Sequence, residues 1–320
     1  PATLQYLMKF KQNILPHLVA VFVFFLVTVI FYHPLIFGGK EISQHDIIQG
    51  LGASQEIIDF RDQTGEEALW TNSIFGGMPA YLINMRWSGD LMLYVHRLLS
   101  VGLPSAAGVT LVGCLSFYLL MLAFSVRPWI AIIGGLAYGL GSFNIISIEA
   151  GHMWKVWAIA YMPMVLAGVH LTVNKKYIYG ALLLAIGLAL ELRSNHLQIT
   201  YYLLLLLLIY GVTYAFFAFR AGELNSLFKS VGVMCIAAVI ALGCNLGKIW
   251  SVYEYGQYST RGPSDLTKTE NVTDGLDKEY AFRWSNGILE PITLLIPDFF
   301  GGPSVNALSA NSNLGEALRN

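Results

Sequence analysis

Charge is what this sequence has least of. Asp, Glu, Lys and Arg make up 12% of its 320 residues, about half the roughly 25% of an average soluble domain. With 55% hydrophobic residues and a mean hydropathy of +0.57, the chain reads as an integral membrane protein. The net charge of −1 excludes the dense Lys/Arg surface that nucleic-acid binding needs to replace counterions on phosphates. Cysteine is scarce too. Cys114, Cys235 and Cys244 each lie inside an apolar run, where a thiol acts as a small packing residue and says nothing about redox compartment. A cleavable signal peptide is not apparent, because the first apolar run is too long and lacks a small-residue cleavage site. The start at Pro1 and the ending "GEALRN" suggest a piece of a longer protein.

What the chain has is long apolar runs. Stretches able to cross a hydrocarbon layer of ~30 Å fall at about Leu15–Phe37, Ser105–Ser125, Trp129–Ile148, Val156–Val173, Tyr177–Leu192, Ile199–Phe219 and Val231–Tyr253. The expected fold is therefore an all-α polytopic bundle of about seven spans, residues 1–253, followed by an extracytoplasmic segment, 254–320. The fifth run is short and leads almost directly into the sixth. Residues 38–104 form a long first loop with amphipathic helices, including an interfacial one within Asp90–Leu103.

A Lys/Arg bias of the short connections marks one side of this topology. Lys9, Lys11, Arg127, Lys175, Lys176, Arg220 and Lys229 all occupy alternate connections, which the positive-inside bias makes cytoplasmic. The N-terminus is then cytoplasmic. The opposite face receives the first loop, the connections 149–155 and 193–198, and the tail.

Three polar groups mark that outer face. His45 and Asp46 follow the first span in "GGKEISQHDIIQG". Asp46 reads either as the N-cap of the helix after it or as a general base at the membrane surface. In "SIEAGHMWKVW", Glu149 and His152 share a face if the helix persists, with Lys155 three residues on. Trp154 and Trp157 fit an interfacial belt, but an acid at the end of an apolar helix is costly unless paired or functional. In "LELRSNHLQITYY", Glu191 and Arg193 read as a structural ion pair, or Arg193 and His196 as a cradle for a phosphate, since a guanidinium offers its oxygens a planar fork.

The first loop also holds "WTNSIFGGMPAYLINMRW". Trp70, Asn72 and Tyr81 there suit a shelf for a sugar or its acceptor, and an aromatic belt suits the same residues equally. Gly135 and Gly139 form a small-xxx-small pair for close helix packing. The acceptor triplet at Asn271 carries no weight, since such short motifs are frequent by chance.

The "HD" of the first loop, "WTNSIFGGMPAYLI", "EAGHMWKVWAIAYMPMVLAG", "ELRSNHLQITYYLLLL" and "YAFRWSNGILEPITLLIPDFFGG" together resemble the YfhO family of bacterial membrane proteins, across about 15–303. That family is grouped with the GT-C glycosyltransferases, which use polyprenyl-phosphate-linked sugars. The resemblance implies a multi-pass protein of the bacterial inner (cytoplasmic) membrane that moves a sugar from a polyprenyl phosphate to an envelope polymer or lipid acceptor. It implies Asp46 as the catalytic carboxylate; the polar groups read above then place His45, Glu149 and His152 in support and Arg193, His196 and Lys155 on the donor phosphate. Many relatives have two adjacent acids where this chain has His45 and Asp46, which leaves a divalent metal requirement open. Membrane lipid is the other expected partner. The competing readings are a lipid or solute transporter or flippase, with its critical charges at mid-membrane, and a non-catalytic scaffold, in which the outer groups need not converge.

Overall fold

A backbone in hydrocarbon has no water to bond to, so each apolar run must satisfy its own N–H and C=O groups as a helix. The computed structural model describes residues 14–256 continuously, and beyond them 258, 279, 282–283, 285–296 and 299–300. Lys9, Lys11, Asn271 and most of the proposed tail lie outside the described residues. The chain divides into two compact units, 1–253 and 254–320. In the second, a short 3-10 turn covers Glu290–Leu294.

The first unit is mostly helical. Its helices are α1 (Leu15–Phe31), the single turn α2 (His33–Ile36), α3 (His45–Thr64), α4 (Leu91–Leu99), α5 (Ser105–Ala123), α6 (Pro128–Gly139), α7 (Ser142–Ala150), α8 (Met153–Val173), α9 (Tyr177–Arg193), α10 (Leu197–Arg220) and α11 (Leu224–Cys244). Helix α12 spans Leu246–Gly256. Among the described residues, five helical stretches are long and apolar enough to cross a membrane: Ser105–Ala123, Pro128–Ala150, Met153–Val173, Leu197–Arg220 and Leu224–Cys244. Helices α1 and α9 have 17 residues each, about 26 Å of rise.

Three of the expected spans are broken rather than continuous. The first stops at Phe31, with Tyr32 as its C-cap and Pro34 in the turn that follows; proline cannot donate to the ladder it would have to continue. The third divides at Leu140 and Gly141 into α6 and α7. The seventh ends at Cys244, where the buried Asn245 bonds through Nδ2 to the carbonyls of Ala189 and Ala241, at 2.9 and 3.0 Å. Lys248 therefore sits on a separate helix rather than inside a span.

Helices α5 and α8 are the centre of the bundle. Ala107, Val109, Val112, Val156, Trp157, Ala160 and Tyr161 interlock between them. Gly139 lets α6 lie directly on α5, since a Cβ there would fall 2.3 Å from Cys114 Sγ and 2.9 Å from the Thr110 carbonyl oxygen. The close-packing role read from Gly135 and Gly139 is thus realised, and Cys114 is the buried partner it needs. Helices α10 and α11 stand at the margin, with only Ile199, Leu203, Ala218, Ser230, Ala237 and Ala241 buried.

Side-chain contacts separate the bundle's two ends. At one, Lys175 pairs with Glu223 at 2.9 Å and His17 Nδ1 meets the Tyr118 hydroxyl at 2.7 Å. The connections after α2, α7, α9 and α11 meet at the other.

The first loop is an ordered structure rather than a tether. Helix α3 is followed by a two-stranded hairpin, Trp70–Thr71 with Met78–Pro79, and a 3-10 turn, Ala80–Leu82. Buried Arg61 grips Glu67 with two parallel bonds of 2.7 and 2.8 Å, and its Nη2 also reaches Asn84.

Candidate functional site at the loop end of the bundle

Helix α3 begins at His45, with Gln44 rather than Asp46 at the N-cap and no side chain capping it. Asp46 instead lies in the first turn, where the helix dipole favours a negative charge. The capping role read from the sequence is therefore not the one it plays. Its Oδ2 is 2.9 Å from Nε2 of His152. Gln44 secures the approach by donating to the Ile148 carbonyl.

The meeting depends on Gly151. Helix α7 ends there in a left-handed conformation, φ +90°, and a Cβ would fall 3.2 Å from the Asp46 Cβ. Glycine removes both the strain and the obstruction. The same turn corrects one sequence expectation: the helix does not persist from Glu149 to His152. Glu149 is exposed and makes no hydrogen bond or ion pair among the described residues, while His152 precedes α8.

Lys155, on the first turn of α8, places Nζ 3.4 Å from His152 Nδ1. With the imidazole proton on Nε2, the chain is consistent throughout: Lys155 donates to His152, and His152 donates to the Asp46 carboxylate. His196, at the start of α10, lies within electrostatic reach of Lys155 and His152. Burial, followed by the Lys155 charge, lowers its pKa, so it serves near neutrality as an uncharged donor or acceptor. Its Nδ1 is buried without a partner among the described residues. His45 is exposed and turned to its own helix, 2.9 Å from Gln49.

Arg193 does not pair with Glu191. Its Nε donates to Asp90 Oδ2 at 2.9 Å, while Glu191 is fully buried and accepts from the Thr200 hydroxyl at 2.9 Å. Asp90 also caps α4 through Oδ1, which accepts from Leu93 N at 3.0 Å. A residue whose place directly before an amphipathic segment is the signal of a helix cap thereby holds the arginine. Beside them, Lys248 Nζ donates to the Arg193 carbonyl at 2.9 Å and lies 5.6 Å from the ring centre of Trp154. Burial, and then the Arg193 charge, push the Lys248 amine down to about 8. Lys248 was hidden because its run reads as one span, although a lysine in an apolar run is itself a signal.

Helix α4 is held down by a second contact. His96 Nδ1 is 2.8 Å from the Tyr161 hydroxyl and its ring packs on Trp157. Burial, then Arg193, lower its pKa to about 4, so it docks the helix as a neutral imidazole.

The shelf residues Trp70, Asn72 and Tyr81 fall in one local unit. Trp70 Nε1 donates to Asn72 Oδ1 at 3.3 Å, and its half-exposed ring lies across Gly77. Tyr81 is half-buried in the adjoining 3-10 turn, which is tied back by the Ala80 amide on the Leu69 carbonyl at 3.0 Å. Glu56 of α3 organises the hairpin. The Thr71 hydroxyl and the amides of Asn72 and Ser73 bond to its carboxylate and hold its pKa below the usual range.

No group of three His, Cys, Asp or Glu side chains among the described residues is arranged to hold a metal ion. Comparison with known proteins finds no matching family, no matching curated protein and no matching solved structure.

Proposed function

We propose that this chain is the membrane part of a GT-C-like glycosyltransferase with seven spans, acting on the extracytoplasmic face of a bacterial inner membrane. In this reading α1, α5, α6 with α7, α8, α9, α10 and α11 are the spans, and the Lys175 end of the bundle is cytoplasmic. Sugar passes from a polyprenyl phosphate to a hydroxyl of an envelope polymer or lipid.

One observation carries the reading: the first-loop carboxylate meets the imidazole of a later loop, Asp46 to His152 at 2.9 Å. A scaffold gives no reason for a carboxylate, an imidazole and an ammonium to converge on an exposed rim, and a transporter would place its charges deeper.

The chemistry follows from that chain. Asp46 takes the proton of the acceptor hydroxyl as its oxygen attacks the sugar's anomeric carbon. The bond from that carbon to the phosphate oxygen breaks, and polyprenyl phosphate leaves with the electron pair. Lys155, with His196 as an uncharged donor, meets the developing phosphate charge. His152 orients Asp46, as the third member orients a base in other catalytic groups. Trp70, Asn72 and Tyr81 supply the acceptor shelf, and Arg193, which lines a cleft with Asp90 and Lys248 rather than joining Asp46 and His152, leaves the reacting set.

The test is transfer from a polyprenyl-phosphate sugar by the full-length protein. Asp46→Asn removes the base at nearly constant shape, so folded protein with no turnover is expected. Full turnover in that variant sinks the reading.

A further inference from the structure

We propose that the cleft between the 87–90 turn, the end of α9 and the start of α12 binds the phosphate group of an anionic lipid. Trp87, Asp90, Arg193, Cys244, Asn245 and Lys248 line it. The proposal is independent of the transfer reading, since no step of that reaction uses these residues.

Charge argues for an anion. The Asp90 carboxylate is already satisfied, with Oδ1 on the Leu93 amide and Oδ2 on Arg193 Nε. The Arg193 terminal nitrogens donate to no acceptor among the described residues, and Lys248 makes one hydrogen bond, to the Arg193 carbonyl. Two cations thus face the cleft with donors to spare and one neutralised acid between them. Holding Lys248 there costs stability, because burial disfavours its charged form. A phosphate restores the lost solvation through charge-assisted bonds to both groups.

Size and position argue for a lipid phosphate. The cleft measures about 120 Å³, well under the roughly 300–1,000 Å³ of a site that encloses a small molecule. It takes one tetrahedral anion and leaves the rest of the ligand outside. Outside it lies apolar surface: Cys244 ends the membrane-length helix α11, and Leu242, Leu246 and Trp250 around that end are 44%, 59% and 61% exposed. The ring of Trp87, 3.4 Å from a Cβ built on Gly247, walls the cleft.

The experiment is native mass spectrometry and thermal melting of the chain in nanodiscs, with phosphatidylglycerol, a prenyl phosphate, phosphatidylcholine or inorganic phosphate as the probe. Retention of phosphatidylglycerol over phosphatidylcholine by tenfold or more is expected, with the prenyl phosphate, which the transfer site also takes, as the comparison ligand. Lys248→Gln should remove that preference, Lys248→Arg should keep it, and Lys155→Gln should leave phosphatidylglycerol binding unchanged. Equal retention of phosphatidylglycerol and phosphatidylcholine overturns the proposal. So does inorganic phosphate protecting as well as the lipids, or Lys155→Gln matching the loss seen in Lys248→Gln. Because Lys248→Arg preserves charge and stem, its failure to bind while folded also counts against it.

Discussion

Asp46 and His152 stand 2.9 Å apart although each belongs to a different connection between apolar helices. Both are about half exposed, at 51% and 43%, so water screens the pair and it contributes on the order of 1 kcal/mol or less to stability. His152→Gln should therefore melt within a few degrees of the parent. If His152 orients the base, kcat should fall by about tenfold or more with KM for the donor little changed. A large loss of thermal stability with kcat intact would make His152 a structural residue instead.

Gly151 is the position where the backbone decides the site. In Gly151→Ala the left-handed φ and the 3.2 Å approach to Asp46 Cβ add a cost of roughly 1–2 kcal/mol. They should also push Asp46 from His152. The expected outcome is a lower melting temperature together with lost transfer. Melting and turnover both equal to the parent would show that this turn does not set the carboxylate's place.

The apolar runs were legible because hydrocarbon leaves the backbone no alternative to helix; the breaks at Leu140 and at Asn245 were not, because hydropathy does not register which hydrogen bond a mid-run polar residue takes. Asp46, His152 and Lys155 were visible as chemistry, yet their meeting depends on how the first loop folds over the bundle. Glu191 and Arg193 illustrate the limit most clearly. Proximity in sequence suggested an ion pair, but on a helix residues two apart point to different faces, and the arginine found Asp90 from the first loop instead. Arg61 and Glu67 escaped notice for the opposite reason: exposed-looking charges in a polar loop gave no hint that the guanidinium would be 7% exposed.

Topology is checked by impermeant thiol labelling in a background without the native cysteines. Phe60→Cys should label from outside intact cells, and Lys175→Cys only after permeabilisation. The reverse pattern would invert the assignment of both ends and place Asp46 in the cytoplasm.

Arg61 and Glu67 fix the first loop, and their link is pH-dependent. Burial alone would raise the Glu67 pKa, but the Arg61 bond, the Arg86 amide and the nearby cations outweigh it, and the folded value lies below the usual one. A lowered carboxylate pKa gives stability that is fully present above the unfolded value of 4.5 and is lost as pH falls through the folded value. Protease resistance of the 61–86 segment should therefore hold at pH 6 and weaken progressively as pH falls below 4.5. Glu67→Gln should be as sensitive at pH 6 as the parent is in acid. Equal resistance of parent and variant across that range would mean that the loop is held by other contacts.

The pairing of Arg193 predicts a specific pattern of coupling. Its link to Asp90 is largely buried, at 17% and 23% exposure, so removing one partner strands a charge and should cost on the order of 3 kcal/mol. Asp90→Asn and Arg193→Gln should each lower the melting temperature, and the double variant should lose much less than their sum. Asp90→Asn can still cap α4, so its loss reports the ion pair rather than the helix end. Glu191 supplies the control. It bonds to Thr200 and not to Arg193, so whatever Glu191→Gln costs alone should add to the cost of Arg193→Gln without coupling. A cycle in which Glu191 couples to Arg193 by 1 kcal/mol or more, while Asp90 does not, would restore the within-helix pair and remove Asp90 from the lipid-phosphate cleft.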